Sequence, residues 1–357
     1  MSLVSPDREL LPLGEPHRQT LPAPCGPRSE HLVARLRRRS HELGELPAAD
    51  PGDDPLDGDD TALALHILYE LHYSGFQEVD ERWEWEPSLL AARRVLETEL
   101  EGRLVDLVGP PPIGLDAAEV GAALDELATS GGGPSLSAWM ADEGTLLHLR
   151  EFAAHRSIYQ LKEADPHTWG IPRLTGGPKA AMVEIQRGEY GDGDPAEVHS
   201  TLFAETMRHL GLDDRYGAYL DRVPGVTLTT GNLISLFGLH RRWRGALVGH
   251  LALFEMCSVA PMGRYRDAIL RLGVDPRAAY FYEAHVVADA HHQVVGRDHM
   301  AVALARDEPL LGGEVVFGAR ALGAVERRFA EHLLGSWSRG ASSLRRPLDI
   351  DLGDRSG

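Results

Sequence analysis

Cysteine is nearly absent from this 357-residue chain: Cys25 and Cys257 are the whole complement, too few for a disulfide framework or a thiolate metal site. A reducing, cytoplasmic setting is the expectation. Positive charge is scarce too, with 36 Lys and Arg against 54 Asp and Glu and a formal net charge of −18. That balance argues against nucleic acid and anionic lipid as partners, because both select a basic footprint. The one basic run, Arg35 to Arg39 with Leu36 inside it, is short and reads as a solvated helix face. No stretch reaches 18 uninterrupted apolar residues, and the first thirty residues hold charges and prolines instead of an apolar segment. Neither a membrane span nor a secretory signal is expected.

Strand-like alternation is rare as well. Apolar residues instead recur at spacings of three and four, as in Leu146, Leu149, Phe152 and Tyr159, which predicts an all-α bundle. Helices are expected at about 30–45, 61–103 with an interruption near 83–87, 116–129, 143–164, 178–190, 195–210, 231–260, 263–272, 276–298 and 312–338. Composition divides the chain into a mobile tail, short helix and acidic linker over 1–60, an amino-terminal helical extension over 61–134, a core over 135–340 and a loose tail over 341–357. The linker, Ala49 to Asp60, holds six aspartates, two prolines and two glycines.

Histidine is plentiful, at 17 residues. Within Tyr282 to His292, YEAHVVADAHH, His285, Asp289 and His292 fall at i, i+4 and i+7 and so share one stripe of a helix. Two imidazoles and a carboxylate match the ligand set of iron, manganese or zinc. Other polar residues sit on apolar helix faces, where an unpaired carboxylate costs several kcal/mol and persists only with a partner. Glu255 is flanked at helical spacing by Val248, Leu251, Ala252 and Val259. Glu163 shares a face with Phe152 and Tyr159, Glu189 follows Met182 and Ile185, and His199 lies above Leu202, Phe203 and Leu210. Asp194, Pro195 and Glu197 read as the N-cap, first residue and capping-box partner of the helix that carries His199. Three histidines and four carboxylates are enough to hold two metal ions. His66, Glu70 and His72 form a smaller cluster on diverging helix faces, read as structural. His155, Tyr159 and Tyr282 are candidates for supporting the ligands; no catalytic residue beyond the ligands themselves is expected.

In order and spacing, Glu163, Glu189, His199, Glu255, His285, Asp289 and His292 resemble the ligand pattern of the haem-oxygenase-like di-iron oxidases and oxygenases, the iron-containing redox enzymes. The local text YQLKEADPHTW, EYGDGDPAEVHSTLF and YFYEAHVVADAHHQ is similar to the family's, and YELHYSGFQEVDERWEW resembles its amino-terminal extension. The resemblance, over roughly 140–335, implies a haem-oxygenase-like bundle holding two Fe(II) ions, with manganese as the alternative ion and dioxygen as co-substrate. It also implies oxidation of a small organic substrate by N-oxygenation, desaturation or decarboxylation, or carbon–carbon cleavage, in a biosynthetic pathway. A homodimer and an electron-donor protein are the candidate partners. The rival readings are a helical metal-binding or interaction protein without turnover and a haem-oxygenase-like protein that does not use di-iron.

Overall fold

The computed structural model describes residues 19–129, 133 and 135–349. The first part of the expected mobile tail, most of the glycine-rich break near 131–134 and the end of the expected loose tail lie outside the described residues. The described residues form α1 (Pro27–Leu36), α2 (Asp59–Glu70), α3 (Pro87–Val108), α4 (Ala117–Thr129), α5 (Leu136–Asp142), α6 (Leu146–Gln160) and α7 (Asp165–Thr168). There follow α8 (Gly176–Glu189), α9 (His199–His209), α10 (Gly225–Leu239), α11 (Arg244–Arg271), α12 (Tyr280–Val294), α13 (Ala303–Asp307) and α14 (Gly312–Ser338). A π-helical segment, Val295–Val302, joins α12 to α13. Among the described residues there is no strand, only an isolated antiparallel bridge between Tyr190 and Val198.

α10, GVTLTTGNLISLFGL, carries no charge on any face, and every residue from Gly225 to Gly238 is buried, as a helix without a polar face requires. Its polar side chains are spent on neighbours: Thr229 Oγ1 donates to the Leu56 carbonyl at 2.8 Å and Asn232 Nδ2 to the Ala62 carbonyl at 2.9 Å. α11 and α14 cross at backbone contact. A Cβ on Gly249 would lie 1.8 Å from the Val315 carbonyl oxygen and one on Gly318 would lie 1.9 Å from that of Ala246, so only glycine permits this approach. α11 is long and apolar enough to cross a bilayer by length and composition, yet it is a packing helix here, with 67% of its most apolar window buried inside the bundle.

Several helix boundaries differ from expectation; the helix expected over 30–45, for one, ends at Leu36. A single helix over 231–260 is interrupted at His240, because Arg173, 66 residues before Leu239, donates to the Gly238 and Leu239 carbonyls and so satisfies the end of α10. Trp243 then stacks on Phe317 with ring centroids 5.3 Å apart and starts α11 in a new direction. Conversely, the break expected after residue 260 is absent, and Pro261 lies inside α11. The carbonyl that Pro261 leaves without a donor belongs to Cys257, an exposed residue that water can reach.

The extension is continuous with the rest. Leu32, Leu65 and Leu96 belong to the same apolar cluster as Phe152, Phe237 and Phe329, so the boundary drawn at 134 does not divide the core. The acidic linker supplies caps: the Asp60 carboxylate accepts from the backbone N–H groups of Arg28 and Ser29 at 2.8 Å each, at the start of α1. Residues 341–349 are docked, not loose. The buried Glu151 carboxylate accepts from Trp337 Nε1 at 2.8 Å, Ser342 Oγ at 2.6 Å, and Ser343 N and Oγ at 2.9 and 2.7 Å.

Candidate metal centre

α6, capped by Thr145, whose Oγ1 accepts from His148 N at 3.3 Å, ends at Gln160, and Glu163 sits in the turn just beyond it. The turn is held by its neighbour: Lys162 is buried and pairs with the fully buried Glu70 of α2 at 2.7 Å, which directs Lys162 into the extension. Glu189 is the last residue of α8 and His199 the first of α9. The helix expected from Pro195 begins only at His199. Asp194 does accept from Ala196 N, at 2.9 Å, but this closes a single turn. The Tyr190–Val198 bridge holds the chain extended beyond it, and Glu197 accepts from Tyr280 OH at 3.0 Å instead of capping a helix.

Glu255 comes from the middle of α11, and His285, Asp289 and His292 from the inner face of α12. All seven side chains are buried and converge in the centre of the bundle. Two groups form in which the ligand-type atoms lie within 4.8 Å of one another: Glu163, Glu189, His199 and His285, and Glu189, Asp289 and His292. Glu189 belongs to both. Glu255 joins the second through His292, with 3.5 Å between its Oε2 and His292 Nδ1.

Several of these donor atoms have no hydrogen-bond partner within the protein, a donor set that a metal ion would satisfy. Glu163 Oε2, Glu189 Oε2, His199 Nδ1, Asp289 Oδ1 and His292 Nδ1 are buried with no partner in hydrogen-bond geometry, an arrangement that costs roughly 1–3 kcal/mol per group, more when charged. His199 Nδ1 and Glu189 Oε2 nevertheless stand 2.7 Å apart. Two donors bonded to one ion at about 2.1 Å and at a right angle stand about 3 Å apart. His285 Nδ1 is 2.9 Å from the Phe281 carbonyl. A carbonyl only accepts, so Nδ1 carries the proton and Nε2 faces Glu163 at 3.5 Å, the orientation that a ligating histidine needs. Oxygen and imidazole donors in these proportions fit iron or manganese.

The charges are strongly coupled. Burial works against the charged form of His285, but Glu163, Asp289 and Glu189 outweigh it and hold the imidazole well above its ordinary range. His292, opposed by burial and favoured by Asp289 and Glu255, is pushed up to about 10. Burial, with Asp289 and Glu189 nearby, drives Glu255 up to about 8 against the pull of His292. Glu189 goes the other way: burial is overcome by the facing imidazoles of His199, His285 and His292 and its carboxyl falls to about 2.

A small cavity of about 20 Å³ adjoins the cluster, lined beside the candidate ligands by Tyr159, Ala164, His167, Gln186, Leu251 and Phe254. It has room for about one water molecule. Tyr159 and Phe254 meet edge to face across it at 5.8 Å. The larger surface depression, near Ile113, Trp243 and Leu310 at about 580 Å³, contains none of the seven residues.

Of the expected supporting residues, Tyr159 lines the cavity. Tyr282 is buried against Phe281 and Tyr265 and is not part of the lining. His155 is elsewhere, because Nδ1 pairs with Thr227 Oγ1 at 2.6 Å and Nε2 with Ser343 Oγ at 3.0 Å, which uses both nitrogens. His66, Glu70 and His72 do not form a site: Glu70 pairs with Lys162 and Tyr216, and His72 with Glu84 and Arg93. His167 and Gln186 were missed, although each lies one helical turn from a candidate ligand, Glu163 and Glu189 respectively. His167 Nε2 approaches His250 Nδ1 at 3.2 Å, and Gln186 Nε2 donates to the Ala164 carbonyl at 2.7 Å.

Comparison with known proteins agrees with this architecture. A stretch of 189 residues is 29% identical to nitrosourea synthase from Streptomyces achromogenes subsp. streptozoticus, covering 51% of this chain and 39% of that relative. Residues 150–327 match the family described as iron-containing redox enzyme, and the bundle is its haem-oxygenase-like all-α fold. This span carries all seven converging side chains, and through it the chain belongs to the iron-containing redox enzymes.

Proposed function

We propose that the protein is a non-haem di-iron oxidase or oxygenase that uses dioxygen to oxidise a small organic substrate in a biosynthetic pathway. The observation that carries the proposal is the sharing of Glu189 between two buried groups of ligand-type atoms, each compact enough for one ion. Glu163, His199 and His285 would complete the first position, and Asp289, His292 and Glu255 the second. Two ferrous ions held there would supply electrons for the reduction of dioxygen. The chain's own part is to hold, dry and adjust this site. The Phe281 carbonyl fixes the His285 tautomer. Leu251, Phe254 and Tyr159 exclude bulk water. His285, His292 and Glu255 give up their protons when metal enters, which neutralises the charge it brings. Tyr159, His167 and Gln186 are polar side chains on the cavity wall that would face a substrate, His167 and Gln186 already held by His250 and the Ala164 carbonyl, and a cavity of about 20 Å³ would have to widen to admit one.

Nitrosourea synthase, by its name, makes a nitrosourea, a product with an oxidised nitrogen, and this likeness favours N-oxygenation among the outcomes open to the site. An anaerobic ferrous titration of the metal-free protein, followed by stopped-flow mixing with oxygenated buffer, tests the proposal. Binding of two irons per chain and a transient visible absorption band are expected. Binding without any oxygen-dependent spectral change would favour a metal-binding protein without turnover.

A further inference from the structure

His292 differs from the other candidate ligands in what stands behind it. Its Nδ1 faces Glu255 and Asp289 at 3.5 and 3.6 Å, while the adjoining Cε1–Nε2 edge of the ring lies against α8 at Gly188. A Cβ on Gly188 would lie 2.9 Å from His292 Cε1 and 3.1 Å from Nε2, well inside the roughly 3.5–4.0 Å at which such atoms attract. Nothing in the backbone asks for glycine here. Gly188 is inside α8 and is not among the residues with positive φ, and alanine is the better helix former. The unfavourable residue thus stands where the imidazole needs room.

We infer that Gly188 is a positioning residue: its missing side chain leaves the space that holds His292 toward Asp289 and Glu255, and so decides whether the second metal position fills. This rests on the two-metal reading above. At the first position, Glu163, His199 and His285 are not among the residues that a Gly188 side chain would meet, and the shared Glu189 is its chain neighbour on the same helix. The atoms that it would meet belong to the far end of a side chain that can rotate. A methyl group therefore displaces the ring and spares the fold.

Four full-length proteins test this: wild type, Gly188→Ala, His292→Ala and the double variant. Mn(II) binding is measured by equilibrium dialysis and electron paramagnetic resonance, with melting temperatures of the metal-free forms. The wild type is expected to bind two Mn(II) with a spin-coupled spectrum. Gly188→Ala should keep the first Mn(II), weaken the second by at least ~10-fold, lose the coupled signal, and melt at or above the wild-type temperature. The double variant should bind as His292→Ala does. If Gly188→Ala binds both ions like wild type, the inference is overturned while the two-metal reading stands. A double variant worse than His292→Ala, or a lower melting temperature with both positions lost, would show that the methyl acts elsewhere, and overturn it too. A wild type that binds fewer than two ions would remove both the reading and the inference.

Discussion

Lys162 and Glu70 form a buried ion pair at 2.7 Å between the turn that carries Glu163 and α2 of the extension. Tyr216 OH donates to the same Glu70 oxygen at 2.7 Å, and the Lys162 ammonium lies 4.4 Å from the centre of the Tyr73 ring. The extension thus reaches the residue next to a candidate ligand through one charge-assisted contact.

Removing half of that pair should be far worse than removing all of it. Glu70→Gln leaves Lys162 buried without a counter-charge and should cost about 3–5 kcal/mol, whereas Glu70→Leu with Lys162→Met should recover most of the loss. Denaturant unfolding of the three proteins checks this. Equal losses for the single and double variants would mean that packing, not charge, holds the turn.

Metal binding should release protons. His285, held well above its ordinary range, His292, at about 10, and Glu255, at about 8, all carry protons at pH 7 in the metal-free protein. Ligands must be bare. Apparent Mn(II) affinity should therefore rise with pH, most steeply up to about pH 8, where Glu255 still carries its proton, and less steeply above it. Calorimetric titration in two buffers of different ionisation enthalpy counts the protons. A buffer-independent heat would contradict the assignment of these three residues.

Acid should weaken the fold through a different set of residues. Burial holds His66, His155 and His250 well below the ordinary range and His167 at about 4. An unfolded histidine takes up its proton near 6.5, so between pH 6.5 and 4 the unfolded chain binds more protons and stability falls as pH falls. Each such histidine contributes roughly 1.4 kcal/mol per pH unit across the window where only the unfolded form is protonated. The metal-free His167→Asn variant should show a shallower decline than wild type in denaturant midpoints measured from pH 7 to 4.5. Parallel declines would mean that His167 is protonated in the fold.

The candidate ligands were legible in sequence for a local reason. His285, Asp289 and His292 share one stripe, and Glu255 interrupts an apolar face, so periodicity alone exposes them. The misread features depend on distant partners. α10 ends at Leu239 because Arg173 caps it from another part of the chain. His155 shares α6 with the approach to Glu163 but faces Ser343, nearly two hundred residues away. The segment 341–349 looks loose by composition and is docked by partners far away in sequence, Glu151 at Ser342 and Ser343 and Arg222 at Pro347 and Asp349. Gly188 escaped notice because its role lies in an absent side chain, visible only once His292 is placed behind it.

Glu189 is the point at which the two-metal account is most exposed, since it alone is shared by both groups of ligand-type atoms. The most direct measurement is the iron stoichiometry of Glu189→Ala beside wild type and His199→Ala, by anaerobic ferrous titration with Mössbauer detection. Two irons are expected in wild type, one in His199→Ala and fewer than one in Glu189→Ala. Retention of two irons by Glu189→Ala, or fewer than two in wild type, would contradict a paired centre bridged by this carboxylate.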